Sequence, residues 1–347
     1  MRYKLFGKTG LRVSELALGA MTFGEDWGWG ASKDESRKIF DAYAEAGGNF
    51  LDTANHYTGG TSERFVGEFV ARERERFVVA TKYTLNGRPK DPNGGGNHRK
   101  SMVQSLEASL KRLGTDYVDV YWVHAWDPLT PAEEVLRGLD DLVRAGKVLY
   151  VGISDTPAWA VARSNAIAEL RGWTAFAGLQ IPYSLIERAP ERDLLPMAKA
   201  LDLAVTTWGA LGGGALTGKY AGGNRGSGHR LSQGAWGDSI LTPKNLAVGD
   251  ATVAVAKELG VTPSQAALAW VRSRQDKALI IPIIGARTVT QLDDNLGALQ
   301  VELPRPALDR LEEASRIELG FPHDFLSNVG GLIYGETRAL IDDHRSR

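Results

Sequence analysis

The sequence predicts an α/β fold: a (β/α)₈ TIM barrel forming a single domain over residues 1–347, with an N-terminal hairpin and a C-terminal tail. Three observations predict it. Eight short apolar runs recur along the chain. Amphipathic stretches of helical period lie between them. No linker divides the 347 residues, and single α/β barrels routinely run past about 250 residues as one unit.

The apolar runs are Glu15–Gly19, Asn49–Thr53, Phe77–Lys82, Tyr117–His124, Val148–Ser154, Ala177–Ile181, Leu203–Trp208 and Ala278–Ile284. Most are continuously hydrophobic and rich in β-branched residues, the pattern of strands covered on both faces. Lys33–Ala46 carries Ile39, Phe40, Tyr43 and Ala44 at helical spacing and stops at Gly47-Gly48. Lys100–Leu113 carries a stripe of Met102, Val103, Leu106, Leu110 and Leu113, closed by Gly114. Pro131–Ala145 starts with Thr130-Pro131, a cap and a first-turn proline; Thr262-Pro263 repeats that start before Ser264–Arg274. Alternating strands and helices also suit an open doubly wound sheet, so the count of eight decides for the barrel. Tyr3–Leu5 and Val13–Ser14, turning at Lys8-Thr9-Gly10, form a hairpin that caps the barrel bottom. Ala221–Leu241 is glycine-rich and polar; a lid over the mouth and a surface insertion both fit it. The tail, Gly320–Arg347, places a last helix at Thr337–His344.

Composition narrows the function. With 43% hydrophobic residues the chain can fill a large core, and a net charge of −1 provides no basic field for nucleic acid or an anionic membrane. There are no cysteines, which excludes disulfides, thiolate metal sites and a cysteine nucleophile. The first residues lack the apolar core of a signal peptide, and the longest apolar stretch, Leu279–Ala286, is too short to span a bilayer. His229 and His323 have no partner at metal-ligand spacing, so no metal is expected. These readings describe a cytoplasmic protein, a monomer or small homo-oligomer, with no nucleic-acid or membrane partner.

Chemistry in a parallel barrel sits where the C-terminal strand ends meet. The second run delivers Asp52 there, with Tyr57 just beyond; the third delivers Lys82 and the fourth His124. Three neighbouring strands therefore bring an acid, a phenol, an amine and an imidazole to one patch of rim. Reducing a carbonyl needs hydride at carbon and a proton at oxygen. A phenol with its ordinary pKa of about 10 donates poorly near neutrality. A nearby ammonium lowers that pKa, a carboxylate pins the ammonium, and a neutral imidazole can donate to the substrate oxygen.

These residues lie in strings that resemble the aldo-keto reductase superfamily over most of the chain. The strings are LDTANHY, ATKY and VYWVH, with LALGAMTFG, VGISD, LQIPYSLIER, TTWGALGGGALTGKY and IPIIGARTVTQLDDNLGAL around them, in order. The family's Asp–Tyr–Lys–His tetrad matches Asp52, Tyr57, Lys82 and His124. The resemblance implies reduction of small aldehydes or ketones with NADPH, giving NADP⁺, and no Rossmann domain. It places Gly19, Met21, Thr22 and Asp52 near the nicotinamide. It puts Ser154, Asp155 and Gln180 on the carboxamide, with Trp208 stacked on the ring. Gly209, Leu211, Gly214 and Lys219 surround the pyrophosphate, and Gly285, Arg287, Gln291, Asp294 and Asn295 the adenosine end. Arg287 suits a 2′-phosphate, which favours a planar cationic fork. The resemblance also covers potassium-channel β subunits, a binding role; the complete tetrad favours catalysis.

Two positions depart from the family pattern. Ser154-Asp155 stands where Ser-Asn is usual, and an aspartate accepts but does not donate. Trp208 stands where tyrosine usually stacks. Gly213–Tyr220 nearly spells a nucleotide-hydrolysing P-loop, but Tyr220 stands where Mg²⁺ needs a hydroxyl of Ser or Thr. Trp27, Trp29 and Trp126 fall in loops at the mouth and would form an apolar substrate wall. His56 neighbours Tyr57, and the Asn93–Gly96 turn with His98 and Arg99 borders the same side.

Overall fold

The computed structural model describes residues 1–224, 231 and 235–342. An antiparallel hairpin, β1 (Tyr3–Leu5) and β2 (Arg12–Ser14), comes first. Eight parallel strands then close on themselves: β3 (Ala17–Gly19), β4 (Phe50–Asp52), β5 (Val78–Tyr83), β6 (Val118–Val123), β7 (Val148–Ser154), β8 (Gly178–Pro182), β9 (Ala204–Trp208) and β10 (Leu279–Ile284), with β10 bonded to both β9 and β3. Each expected apolar run supplies one barrel strand. The expected (β/α)₈ architecture is the observed one.

Helices α1 (Lys33–Glu45), α2 (Thr61–Val70), α3 (Arg99–Leu113), α4 (Ala132–Arg144) and α5 (Ala158–Arg171) cover the first half of the barrel. Helices α6 (Leu194–Ala200), α7 (Ala235–Ile240), α8 (Pro243–Leu259), α9 (Pro263–Ser273), α10 (Val289–Gly297) and α11 (Arg305–Ala314) follow. The start of α9 is a capping box: Thr262 Oγ1 accepts from Gln265 N while Gln265 Oε1 accepts from Thr262 N. The expected cap at Thr130 does not form. Pro131 is the N-cap of α4, and Thr130 Oγ1 donates to Asp127 Oδ2 at 2.6 Å.

The core has two layers. Between strands and helices lies a large apolar shell that includes Leu51, Val79, Tyr121, Leu179 and Trp270. Inside the barrel Phe6, Phe50, Val78, Ala80, Val120, Trp122, Ala204 and Ile281 form a second cluster. Phe6, just after β1, meets Phe50 and Trp122 edge-on with ring centroids 5.9 and 6.1 Å apart, so the hairpin plugs the bottom. Two glycines make room for this plug. A Cβ on Gly152 would lie 2.3 Å from Trp122, and one on Gly178 2.5 Å from Phe6.

The last helix, α12, spans His323–Tyr334 instead of Thr337–His344, and a 3₁₀ turn follows at Gly335–Leu340. Gly330-Gly331 within α12 hid it, since each glycine costs a helix about 1 kcal/mol relative to alanine. Within 221–241, Ala221–Gly223 is a 3₁₀ turn and Ala235–Ile240 is α7. Leu231 and Leu241 join Tyr220 and Ala215 in a small apolar cluster. Positions 225–230 and 232–234, His229 among them, and 343–347 lie outside the described residues.

Candidate active site

Side chains alternate across a strand, so every second residue faces the barrel axis. Phe50, Ala80, Trp122, Gly152, Gly178 and Thr206 are inward positions below the mouth. Two residues further along the same strands, or at their ends, come Asp52, Lys82, His124, Ser154, Gln180 and Trp208. One periodicity therefore fills the interior and stocks its upper rim.

Lys82 is the centre of the arrangement and is fully buried. Its ammonium has three donors and uses all of them. One goes to Asp52 Oδ1 in an ion pair, one to Thr53 O at 2.9 Å and one to Tyr57 Oη at 3.1 Å. The ammonium also lies 4.7 Å from the centre of the Tyr57 ring. The second carboxylate oxygen of Asp52 accepts from Gln180 Nε2 at 3.0 Å, and that amide also reaches Thr206 Oγ1 at 3.2 Å. His124 stands edge-on to Tyr57, ring centroids 5.8 Å apart. The structure brings all four expected residues together.

Electrostatics follow from this packing. Burial opposes the charge on Lys82, but Asp52, with Tyr57, outweighs it and holds the ammonium above its ordinary pKa. Burial pushes the Tyr57 phenol up, while Lys82 pulls it down. The expected lowering by an ammonium is present but does not prevail. Burial, and then the Lys82 charge, push His124 down to about 2. Its imidazole is therefore neutral at any working pH. Its Nδ1 is buried without a partner among the described residues. A proton on Nδ1 would be an unpaired buried donor, so the donor is Nε2.

A neutral buried histidine has a consequence for folding. Its folded pKa lies below the unfolded value of about 6.5, so the unfolded state binds the extra proton and stability falls as pH drops below that value. Between pH 7 and 5 the wild type should lose about 2 kcal/mol more than His124→Gln, by urea unfolding at each pH. Equal losses would show that His124 is protonated in the folded protein.

The residues expected to meet a nicotinamide ring the same mouth. Gly19 ends β3 beside Asp52, and a Cβ there would strike Ile283 at 2.7 Å. Met21 is half-buried in the following loop. Thr22 Oγ1 donates to Ala286 O at 2.7 Å and ties that loop to the one after β10. Ser154 Oγ is buried beside the Asp155 carboxyl, which its hydroxyl helps to hold down, and it makes no well-formed hydrogen bond among the described residues. Asp155 takes a left-handed φ of 43°, accepts from Trp208 Nε1 at 3.2 Å, and has its carboxyl pushed up by burial. The Trp208 indole is 43% exposed at the end of β9. A buried, weakly held hydroxyl beside an open aromatic face fits an amide-bearing ring.

Leu211 and Gly214 lie in the turns after β9, with Gly209 at φ 68° and open space where a side chain would go; Lys219 is exposed. After β10, Gly285 and Arg287 are exposed, and Arg287 N donates to Gln291 Oε1 at 2.9 Å. Asn295 Nδ2 holds Gly285 O at 3.2 Å. Asp294 is occupied elsewhere: its Oδ1 accepts from Thr262 Oγ1 and Gln265 Nε2, fastening α10 to the start of α9.

Aromatic side chains flank the tetrad. Trp27 lies 5.6 Å from Trp29, 6.1 Å from His56 and 6.4 Å from Tyr57, centroid to centroid. Trp126 pairs edge-on with Trp159 at 5.9 Å. Trp159 lies in the first turn of α5 and is well exposed, a position the sequence does not mark because a tryptophan in a helix reads as core. His98 caps α3 by accepting from Ser101 N at 3.2 Å, and Arg99 begins that helix.

The profile of the Aldo/keto reductase family matches residues 15–316. The chain belongs to this family. It is 39% identical over 327 residues to norsolorinic acid reductase stcV of Emericella nidulans, covering 91% of this chain and 82% of that protein. It is 37% identical over 336 residues to aryl-alcohol dehydrogenase GME11368 of Pestalotiopsis microspora, covering 94% and 84%. It is 36% identical over 343 residues to aldo-keto reductase ausK of Emericella nidulans, covering 93% and 84%. As a member of the aldo/keto reductase family, the chain is an oxidoreductase acting on small-molecule carbonyl chemistry with a nicotinamide cofactor. No helix among its described residues is long and apolar enough to cross a membrane.

Proposed function

We propose that this aldo/keto reductase is an NADPH-dependent reductase of aromatic aldehydes and ketones in which Tyr57 delivers the proton. The observation that carries the proposal is the hydrogen-bond pattern on Lys82. An ammonium only donates, so the Tyr57 oxygen accepts there at 3.1 Å and its own proton is free to point into the mouth. A carbonyl oxygen placed between Tyr57 and His124 receives that proton and a hydrogen bond from His124 Nε2. The Lys82 charge stabilises the phenolate that forms, and Asp52 keeps Lys82 charged and in place.

When bound, the nicotinamide supplies the hydride. The residues that would hold it are Trp208 under the ring and Ser154, Asp155 and Gln180 on the carboxamide. Gln180 turns its Nε2 to Asp52, which leaves Oε1 to accept. Asp155 also accepts, so the Ser154 hydroxyl is the donor left for the carboxamide oxygen. The aromatic preference rests on the walls formed by Trp27, Trp29, Trp126 and Trp159. The relative named for aryl alcohols supports it.

The test is initial-rate turnover of NADPH with benzaldehyde, a naphthaldehyde and an aliphatic aldehyde of similar size. Aryl substrates should show the higher kcat/KM. Bound NADPH without turnover of any carbonyl would overturn the reading. Arg287→Ala should weaken NADPH binding by about tenfold or more, the worth of a charge-assisted pair. NADH binding should stay within about twofold by fluorescence titration, since it lacks the phosphate. Equal losses for both would remove Arg287 from the 2′-phosphate.

A further inference from the structure

Thr84 is the most unusual residue of the backbone near the mouth. It follows β5, two positions after Lys82, and has φ 97°. That region favours glycine, and a β-branched residue in it is a genuine outlier. Such strain persists only where the surroundings hold it, and it concentrates at functional sites. The surroundings here are explicit. Thr84 is buried, and its main-chain oxygen accepts from Gly96 N at 2.7 Å. Its hydroxyl donates to Asn97 Oδ1 at 2.5 Å and accepts from the main-chain N–H of His124 at 3.1 Å.

Asn97 is also buried and completes the connection. Its Nδ2 donates to Ala125 O at 2.9 Å, and its main-chain N–H donates to Asp127 Oδ2 at 2.8 Å. Asp127 in turn is fixed by Thr130 Oγ1 at 2.6 Å and Leu129 N at 3.0 Å. These bonds grip the backbone on both sides of His124, at its own N–H and at the next carbonyl. They also join the end of the strand bearing Lys82 to the end of the strand bearing His124. The imidazole itself has no anchor at Nδ1, so its backbone must place it.

We propose that Thr84 and Asn97, steadied by Asp127, form a bracket that sets where His124 presents its N–H to the substrate oxygen. They are positioning residues, and none touches the reacting atoms. The proposal rests on the proton-delivery reading above. A hydroxyl is needed because one atom must donate to Asn97 and accept from His124 at once. Valine has the shape of threonine and neither capacity.

The experiment compares Thr84→Val, Thr84→Ser, Thr84→Gly and Asn97→Ala with the wild type. Three quantities are measured: kcat for an aryl aldehyde, Kd for NADPH by fluorescence, and the His124 signal in ¹³C-histidine-labelled protein, assigned among the six histidines with His124→Gln. Thr84→Val and Asn97→Ala should lower kcat about tenfold to a hundredfold, the scale of a misplaced catalytic group, and shift the His124 signal. NADPH Kd should stay within about twofold, because uniform binding is untouched. Thr84→Ser should match the wild type in all three. Thr84→Gly relieves the strained backbone but lacks the hydroxyl, so it should fold well and still lose rate; it decides the matter if Thr84→Val fails to fold. Normal kcat with an unmoved signal in Thr84→Val or Thr84→Gly would overturn the bracket. So would a serine variant as impaired as the valine one. If the wild type turns over no carbonyl, the reductase reading fails. The His124 signal then judges the bracket alone, as it does not depend on turnover.

Discussion

Tyr57→Phe should lower kcat for carbonyl reduction by about 10³-fold, within the range for removing a general acid, and leave NADPH affinity within about twofold. The substitution deletes one oxygen and keeps the ring. Ring contacts with Trp27 and His124 survive, so the mouth keeps its shape. What disappears is the proton directed at the substrate and the acceptor of one Lys82 hydrogen bond. The lysine retains Asp52 and Thr53 O, so the fold loses little. Stopped-flow rates with fluorescence titration check both halves. A Phe variant with near-normal kcat would assign the proton to another donor.

Lys82→Met has the larger effect on the fold. Asp52 is 3% exposed, and without Lys82 its charge is left buried with Gln180 as its remaining side-chain partner. Breaking one member of a buried ion pair costs about 3–5 kcal/mol, and urea unfolding at pH 7 should show a loss of that size. The double variant Asp52→Asn/Lys82→Met should recover most of the stability, because both charges are gone, yet stay inactive. Recovery of rate with stability would make the pair purely structural.

The barrel and the tetrad were legible in the sequence for one reason. Inward positions recur every second residue, and the last inward residue of each apolar run is conspicuous when it is polar. Asp52, Lys82 and His124 stand out in this way against the leucines, valines and alanines before them. Thr84 and Asn97 did not, because threonine and asparagine are ordinary in loops and a positive φ leaves no mark in composition. The Asp155–Trp208 bond joins residues 53 positions apart, beyond any local pattern. The net direction of the Tyr57 pKa departs from the expected lowering, since the sequence reveals the neighbouring ammonium but not the depth of burial. In the tail, two glycines disguised α12, and apolar residues at its exposed face offered no period to follow.

The plug of Phe6, Phe50 and Trp122 closes the barrel bottom beneath the tetrad, so the proposed site opens on the mouth. Whatever enters by the mouth must also leave by it. On the reading proposed above, a ring held on Trp208 with its amide at Ser154 would lie between the barrel wall and any carbonyl held by Tyr57 and His124. Traffic would then be last in, first out: reduced product would depart over a cofactor still in place, and cofactor exchange would wait for the vestibule to empty.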